Sequence, residues 1–413
     1  MRRLVVLGAG TAGTMVVDKL RRRLARADWL ITVVEPRDQH YYQPGFLFLP
    51  FGEYTPDQLT RPVAPLISPG VELVHAEVDR VVTTDDQVVL ADGRRVDYDY
   101  LVIATGVCPR PEQTPGLLDG GHWRRTIFDF YTYEGALALA EALDRFDGGR
   151  LVVHITEMPI KCPVAPLEFA FLADEFLRGR GIRDRTELVY ATPLPGAFTK
   201  PVAAARLGSM LDERKIAIEP DFLVERIEDR SLVSYDERRI PFDLLVTVPL
   251  NMGADFVARS GLGDELNLVP VDRHTFLAKG HDNIFAIGDA NDIPTSKAGS
   301  VAHFSVDVFA RNFTDLAAGK PMTGRFDGHA NCFVESGRGR GLLIDFNYDT
   351  EPLPGTYPVP GVGPFRLLGE SPVNHWGKRA FRWMYWNLLL PGRPLPLPAH
   401  MSMAGKHQPS TKE

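Results

Sequence analysis

The chain has 413 residues, 44% of them hydrophobic and 24% charged, with a net charge of −7; this is enough for two or three domains around a large core. The acidic balance argues against nucleic acid as a partner, and three scattered cysteines, Cys108, Cys162 and Cys332, make neither a secreted disulfide framework nor a Cys-x-x-Cys metal or redox motif, so no metal site is expected. Only four apolar residues lie between Arg3 and Gly8, too few for a secretory core, and no apolar run is long enough to span a bilayer. A cytoplasmic location is therefore expected.

Residues 4–7 form an apolar strand that runs into Gly8-Ala9-Gly10-Thr11-Ala12-Gly13, and a helical stretch continues through Leu24. Glycines between a strand and a helix serve a tight turn, close approach to a pyrophosphate and close helix packing, with the helix N-terminus facing the phosphates. A second strand, residues 31–34, ends at Glu35-Pro36. Glu35 lies 35 − 13 = 22 residues past the last glycine, the spacing of a carboxylate that holds ribose hydroxyls. The plain alternative is a tight turn without a ligand, but strand, glycines, helix and acid in register predict a dinucleotide site.

Residues 39–46 are an aromatic loop fixed by Pro44 and Gly45, and residues 71–96 read as short strands of a small β-meander. Another buried strand ends in Ala104-Thr105-Gly106, and Cys108 just beyond it reads as a small inert hydrophobe. Residues 134–146 are helical. Leu151-Val152-Val153 then begins a buried strand, and a helix follows with Pro163 and Pro166 suited to its first turn. This second strand-turn-helix unit would ordinarily carry another nucleotide loop. No glycine lies between Gly149 and Gly179, and Cys162 occupies the turn. A thiol stands where a pyridine nucleotide would lie.

Residues 187–190 and 244–248 are further buried strands, with a helix over 202–214 and a hairpin over 232–240 between them. A strand over 283–287 ends in Gly288-Asp289, whose carboxylate can bond a ribityl or phosphate-proximal hydroxyl. Lys297-Ala298-Gly299 leads into a helix over 300–316, whose N-terminus suits an electron-rich ring edge. Cys332 lies in a strand, a Gly/Arg turn spans 337–341, and residues 353–364 read as an irregular connection. From Trp376 to Arg393 there are four basic residues (Lys378, Arg379, Arg382, Arg393) and no acidic ones. Phe381, Met384, Tyr385 and Leu388 fall on one helical face, and Trp376, Trp383 and Trp386 add aromatic bulk. Such a helix suits a bilayer interface, or else docks on the protein's own core or on a second subunit.

Taken together, Gly8-x-Gly10-x-x-Gly13 with Glu35, Ala104-Thr105-Gly106, Gly288-Asp289 and Cys162 in place of a second glycine loop resemble the sulfide:quinone oxidoreductases. These are flavoproteins with two dinucleotide-binding-type domains, and flavocytochrome c sulfide dehydrogenase is similar. Lys161-Cys162-Pro163-Val164-Ala165-Pro166-Leu167-Glu168 and Asn331-Cys332-Phe333 resemble the family's redox-cysteine segments. Tyr42-Gln43-Pro44-Gly45-Phe46 and Lys297-Ala298-Gly299 resemble its flavin-contacting loops, and Trp376-Gly377-Lys378 resembles the start of its membrane-facing segment.

The resemblance implies an α/β fold with two Rossmann-like domains of the FAD/NAD(P)-binding type plus a C-terminal membrane-facing segment. The FAD domain would comprise 1–112 and 267–320, the cysteine-bearing second domain 113–266, and the C-terminal domain 321–413. It implies FAD as cofactor, contacted by Gly8, Gly10, Thr11, Ala12, Gly13, Glu35, Pro36, Gln43, Pro44, Ala104, Thr105, Gly106, Gly288, Asp289, Lys297, Ala298 and Gly299. It also implies that Cys162 and Cys332 meet beside the flavin, that hydrosulfide attacks the sulfur bridge between them, and that the electrons reach a membrane quinone. Glu168 matches a family acid/base, although it could equally be a first-turn helix charge. Cys162 precedes a helix and follows Lys161, both of which favour a thiolate. A homo-oligomer, peripheral on the inner face of the cell membrane, is expected.

Cys108 is too close to Gly106 for the family's third cysteine, and Pro44 stands where the flavocytochrome branch carries a flavin-linking cysteine. Three alternatives stay open: a type II NADH:quinone oxidoreductase, the flavoprotein of a cytochrome-linked sulfide dehydrogenase, and a non-enzymatic sulfur carrier.

Overall fold

The computed structural model describes residues 1–395 and 398–407. The first unit opens with β1 (Arg2–Leu7), α1 (Thr11–Arg23), β2 (Trp29–Val34), β3 (Glu72–Val74) and β4 (Tyr100–Ile103). The second holds β5 (Ile127–Phe128), α2 (Tyr133–Arg145), β6 (Gly149–Ile155), α3 (Ala165–Gly179), β7 (Thr186–Ala191), α4 (Pro201–Glu213), β8 (Ala217–Glu219) and β9 (Leu244–Val248). The chain then returns to the first unit with β10 (Ile284–Ala286) and α5 (Gly299–Ala317). It closes with β11 (Ala330–Gly337), β12 (Arg340–Phe346), β13 (Gly355–Val359), β14 (Gly363–Leu367) and α6 (Pro372–Met384).

Two five-stranded sheets are parallel throughout, ordered β10-β4-β1-β2-β3 and β5-β9-β6-β7-β8. Their central strands are continuous apolar runs such as Leu4-Val5-Val6-Leu7, all buried, as expected when helices cover both faces. The order reverses between β4 and β1 in the first sheet and between β9 and β6 in the second. Ligands of open α/β sheets bind beyond the carboxyl ends of the strands at such reversals, so the fold itself marks two crevices.

Two expectations change. Glu72–Val74 joins β2 in the parallel sheet, so the meander is only Val78–Val82, Gln87–Leu90 and Arg95–Asp97. Residues 353–364, expected to be irregular, contribute to the β13–β14 hairpin. Its prolines misled the reading. Pro358 lies on the edge strand, where a missing N–H is tolerated, and β14 runs parallel to β12 through Leu343 and Leu367. The last sheet is ordered β11-β12-β14-β13 and is capped by α6. Among the described residues no helix is long and apolar enough to cross a membrane.

Candidate active site

At the first reversal, β1 ends in the glycine loop and β4 in Ala104-Thr105-Gly106. A Cβ on Gly13 would lie 1.9 Å from the carbonyl oxygen of Gly8, so α1 packs against the turn only with glycine there. A Cβ on Gly10 would meet nothing within 4 Å, which leaves the loop open on the side where a pyrophosphate approaches. Glu35 Oε2 accepts the Ala9 N–H at 2.8 Å, and Oε1 accepts Arg37 Nε at 2.9 Å. Pro36 is exposed on the rim beside it. Thr105 Oγ1 is buried with no partner among the described residues. An open glycine loop at an α-helix N-terminus, a carboxylate at the end of β2 and an orphaned hydroxyl fit the ADP half of FAD.

Gly288 sits over Ala12, where an added Cβ would come within 2.9 Å. Burial raises the carboxyl of Asp289, while Lys297 and Lys161 oppose that rise. Lys297 Nζ donates to the carbonyls of Asp289 and Asn291 at 2.9 and 2.7 Å. Its own carbonyl accepts the N–H of Cys162 at 2.6 Å, and Lys161 and Lys297 form a β-bridge. The Cys162 turn is thereby fastened to the strand leading into α5. From the other side, the Asn331 N–H donates to Ser300 Oγ at 3.3 Å, which places Cys332, the next residue, beside Ser300. Both cysteines thus flank the N-terminus of α5, next to Ala298 and Gly299. Gln43 and Pro44 complete the rim, with Gln43 Oε1 accepting Lys161 Nζ at 2.8 Å.

Cys162 has φ +47°, a left-handed conformation that ordinarily goes to glycine. The Tyr131 hydroxyl at 3.0 Å and the Ala165 N–H at 2.9 Å both donate to its carbonyl. Holding a non-glycine residue there costs about 1–2 kcal/mol, which points to a side chain kept for its chemistry.

Glu168, on the first turn of α3, is fully buried. Its Oε1 accepts Lys378 Nζ and the Glu335 N–H, each at 2.5 Å, and Lys378 also donates to the carbonyl of Phe333 at 2.9 Å. Glu335 in turn accepts His375 Nδ1 at 2.8 Å. Burial alone would lower the ammonium of Lys378, but Glu168 holds it above its ordinary value. Lys378 is therefore a largely buried, charged cation, its side chain 13% exposed, and it faces both thiols.

Burial pushes Cys162 up to about 12, with Glu168 adding to the rise and Lys378 opposing it. Cys332 is pushed up to about 11 by burial, against the opposing influence of Lys378 and the Ser300 side chain. The expectation that Lys161 and the helix N-terminus lower the Cys162 thiol fails, because Lys161 turns to Gln43 and desolvation dominates. The cation that matters, Lys378, lies 378 − 162 = 216 residues away on α6 and was missed as a site residue. In the sequence it stands out only as one of four basic residues and as part of Trp376-Gly377-Lys378, which point to a membrane surface and not to the sulfurs.

The C-terminal helix combines the two alternatives, docking one side on the protein's own core and leaving the other outward. Tyr385 and Trp386 are buried, and Phe381 lies 3.9 Å from where a Cβ on Gly299 would stand. Val373, Trp376 and Trp383 face outward at 43%, 68% and 62% exposure. Of the aromatic rings in this segment, Phe381, Tyr385 and Trp386 pack on the protein, while Trp376 and Trp383 face outward. Cys108 is exposed on a two-residue strand paired with Asn251–Met252 and is not part of the Lys378 cluster.

The sequence profile of the pyridine nucleotide-disulphide oxidoreductase family matches residues 2–153. The mitochondrial sulfide:quinone oxidoreductase of Mus musculus is 25% identical over 398 residues, covering 94% of this chain and 86% of that protein. Its Schizosaccharomyces pombe counterpart is 26% identical over 416 residues, covering 93% and 89%. The X-ray structure of the sulfide:quinone oxidoreductase from the hyperthermophilic bacterium Aquifex aeolicus shares the fold with a TM-score of 0.78 at 21% identity, over 94% of this chain and 92% of that one.

Proposed function

We propose that this flavin-dependent oxidoreductase, a homologue of the sulfide:quinone oxidoreductases, oxidises hydrosulfide through Cys162 and Cys332 and passes the electrons by way of FAD to a membrane quinone. The observation that carries the reading is the convergence of two cysteines 332 − 162 = 170 residues apart on one helix N-terminus, under one buried cation.

Cys162 and Cys332 are free thiols in this structure; in the oxidised enzyme, with a sulfur bridge between them, hydrosulfide attacks one bridging sulfur and the sulfur–sulfur bond breaks, leaving a persulfide on one cysteine and a thiolate on the other. Burial disfavours that anion, and Lys378 offsets part of the cost. Glu168, bonded to the same ammonium, is the group placed to take or return a proton beside the sulfurs. Bound FAD supplies a two-electron acceptor that can hand the pair on to quinone.

Attachment to the inner face of the membrane is part of the proposal. It is supported by the outward row of Val373, Trp376 and Trp383, whose apolar and aromatic side chains partition into a headgroup layer; Arg379 and Arg382 are held against the protein, over Tyr54, with Arg379 also paired to Glu53. The division into 1–112 with 267–320, 113–266 and 321–413 is supported by three sheets drawn from those three stretches, with residues 396–397 and 408–413 outside the described part.

The test is anaerobic. Sulfide should bleach the flavin, and a short-chain quinone should restore it. Cys162→Ala and Cys332→Ser should keep FAD and lose the bleaching. Bleaching by NADH instead would replace this reading with an NADH:quinone oxidoreductase, and turnover by Cys162→Ala would remove the thiol mechanism.

A further inference from the structure

The crevice fitted to FAD is tied to the C-terminal helix by an unbroken row of hydrogen bonds. His40 Nδ1 lies 3.0 Å from the carbonyl oxygen of Ala9, and His40 Nε2 lies 2.6 Å from the Tyr385 hydroxyl. That hydroxyl is also 2.8 Å from Thr11 Oγ1. A carbonyl only accepts, so Nδ1 carries the imidazole proton and Nε2 must accept. Tyr385 therefore donates to His40, and its oxygen accepts from Thr11. Both rings are buried, His40 at 3% and Tyr385 at 2% exposure. Burial pushes His40 down to about 4, so the ring is neutral near pH 7 and the direction of the row is fixed.

The row aims the backbone of the glycine loop. The carbonyl of Ala9 and the N–H of Gly10 belong to one planar trans peptide and point opposite ways. His40 and Thr14 Oγ1, the latter at 2.9 Å, hold the carbonyl inward. The Gly10 N–H is thereby turned outward, on the side left open for a pyrophosphate. A second tie reaches the opposite wall, where Phe381 packs near Gly299 at the start of α5. The Tyr385 ring packs against Tyr42, tilted by 58° with centroids 5.0 Å apart, and Arg61 lies over Trp386 at 4.4 Å.

We infer that Tyr385 and His40 are cofactor-positioning residues, through which retention of FAD and docking of the C-terminal helix stabilise each other. Coupling of this kind is reciprocal: whatever holds the helix down holds FAD, and FAD holds the helix down. The inference needs FAD in this crevice and does not depend on sulfide being the donor.

Two measurements on the holoprotein test it. Release of FAD, followed by the fluorescence of free flavin, should be about tenfold faster in Tyr385→Phe, the scale of one buried hydrogen bond lost, while the ring packing is kept. In the wild type, hydrogen exchange at residues 385–392 should rise when FAD is stripped, and this difference should shrink in Tyr385→Phe. Equal exchange with and without FAD in the wild type would overturn the inference even if the variant did not fold. So would release from a folded Tyr385→Phe at the wild-type rate. Failure of sulfide to bleach FAD that is retained normally would bear on the donor alone.

Discussion

Lys378→Met removes one buried charge and keeps nearly the length of the side chain. The Glu168 carboxylate it leaves behind is 0% exposed and retains a single donor, the Glu335 N–H at 2.5 Å; Oε2 has no partner among the described residues. Removing one partner of a buried ion pair costs about 3–5 kcal/mol, and unfolding in urea should show a loss of that size. Glu168→Gln alone strands the ammonium beside the carbonyl of Phe333 and should also destabilise. The double variant Lys378→Met/Glu168→Gln buries no charge and should lose far less than the sum of the two.

The chemistry should suffer separately. Lys378 is the main cation opposing burial at both sulfurs, and loss of one group aimed at a developing anion lowers rates by about 10²–10³. Anaerobic stopped-flow reduction of the flavin by sulfide reads this directly. A Lys378→Met protein within about 1 kcal/mol of wild type, the worth of an exposed pair, and with unchanged reduction would refute the reasoning.

Cys162→Gly relieves the left-handed strain at φ +47° and should raise stability, by about 1 kcal/mol or less after glycine's entropy is counted, while abolishing sulfide-driven reduction; a lower unfolding midpoint would contradict it. The thiols also set a pH dependence in the reduced protein. Their native values of about 12 and 11 lie above the ordinary 9.0, so the native state keeps its protons longer and stability falls as pH rises above 9. Each thiol contributes a slope of about 1.4 kcal/mol per pH unit, and Cys162→Ser/Cys332→Ser should lack that contribution; identical slopes would remove the argument. Trp376→Ala/Trp383→Ala should stop co-sedimentation with anionic vesicles while leaving FAD content intact, and undiminished binding would put the attachment elsewhere.

Local chemistry was readable from the chain, and chemistry across it was not. The glycine loop, Glu35, the Ala104-Thr105-Gly106 strand end and the turn at Cys162 are each written within a few residues of the backbone they shape. The structure puts them at the two sheet reversals. Lys378 and Tyr385 act on Glu168 and Thr11 from more than two hundred residues away, and a periodic pattern says which residues share a face but not which face turns inward. The helix does carry a polar stripe, His375, Lys378, Arg379 and Arg382 at helical spacing, but such a stripe ordinarily meets water; here Glu335 and Glu168 draw His375 and Lys378 inward, and neither carboxylate is near them in sequence. The left-handed turn was hidden for another reason: glycine usually announces such a position, and here cysteine holds it.

One helix faces two ways at once. In little more than three turns α6 turns His375, Lys378 and Phe381 inward and Val373, Trp376 and Trp383 outward, so few of its positions are free to drift. Trimming the chain before this helix to ease handling in detergent-free buffer would also take the ammonium from the sulfur pair and the hydroxyl from the glycine loop. A shortened protein that failed to oxidise sulfide would say nothing about membranes. On the proposed reading, point substitutions can separate membrane attachment from sulfur chemistry, and deletion cannot.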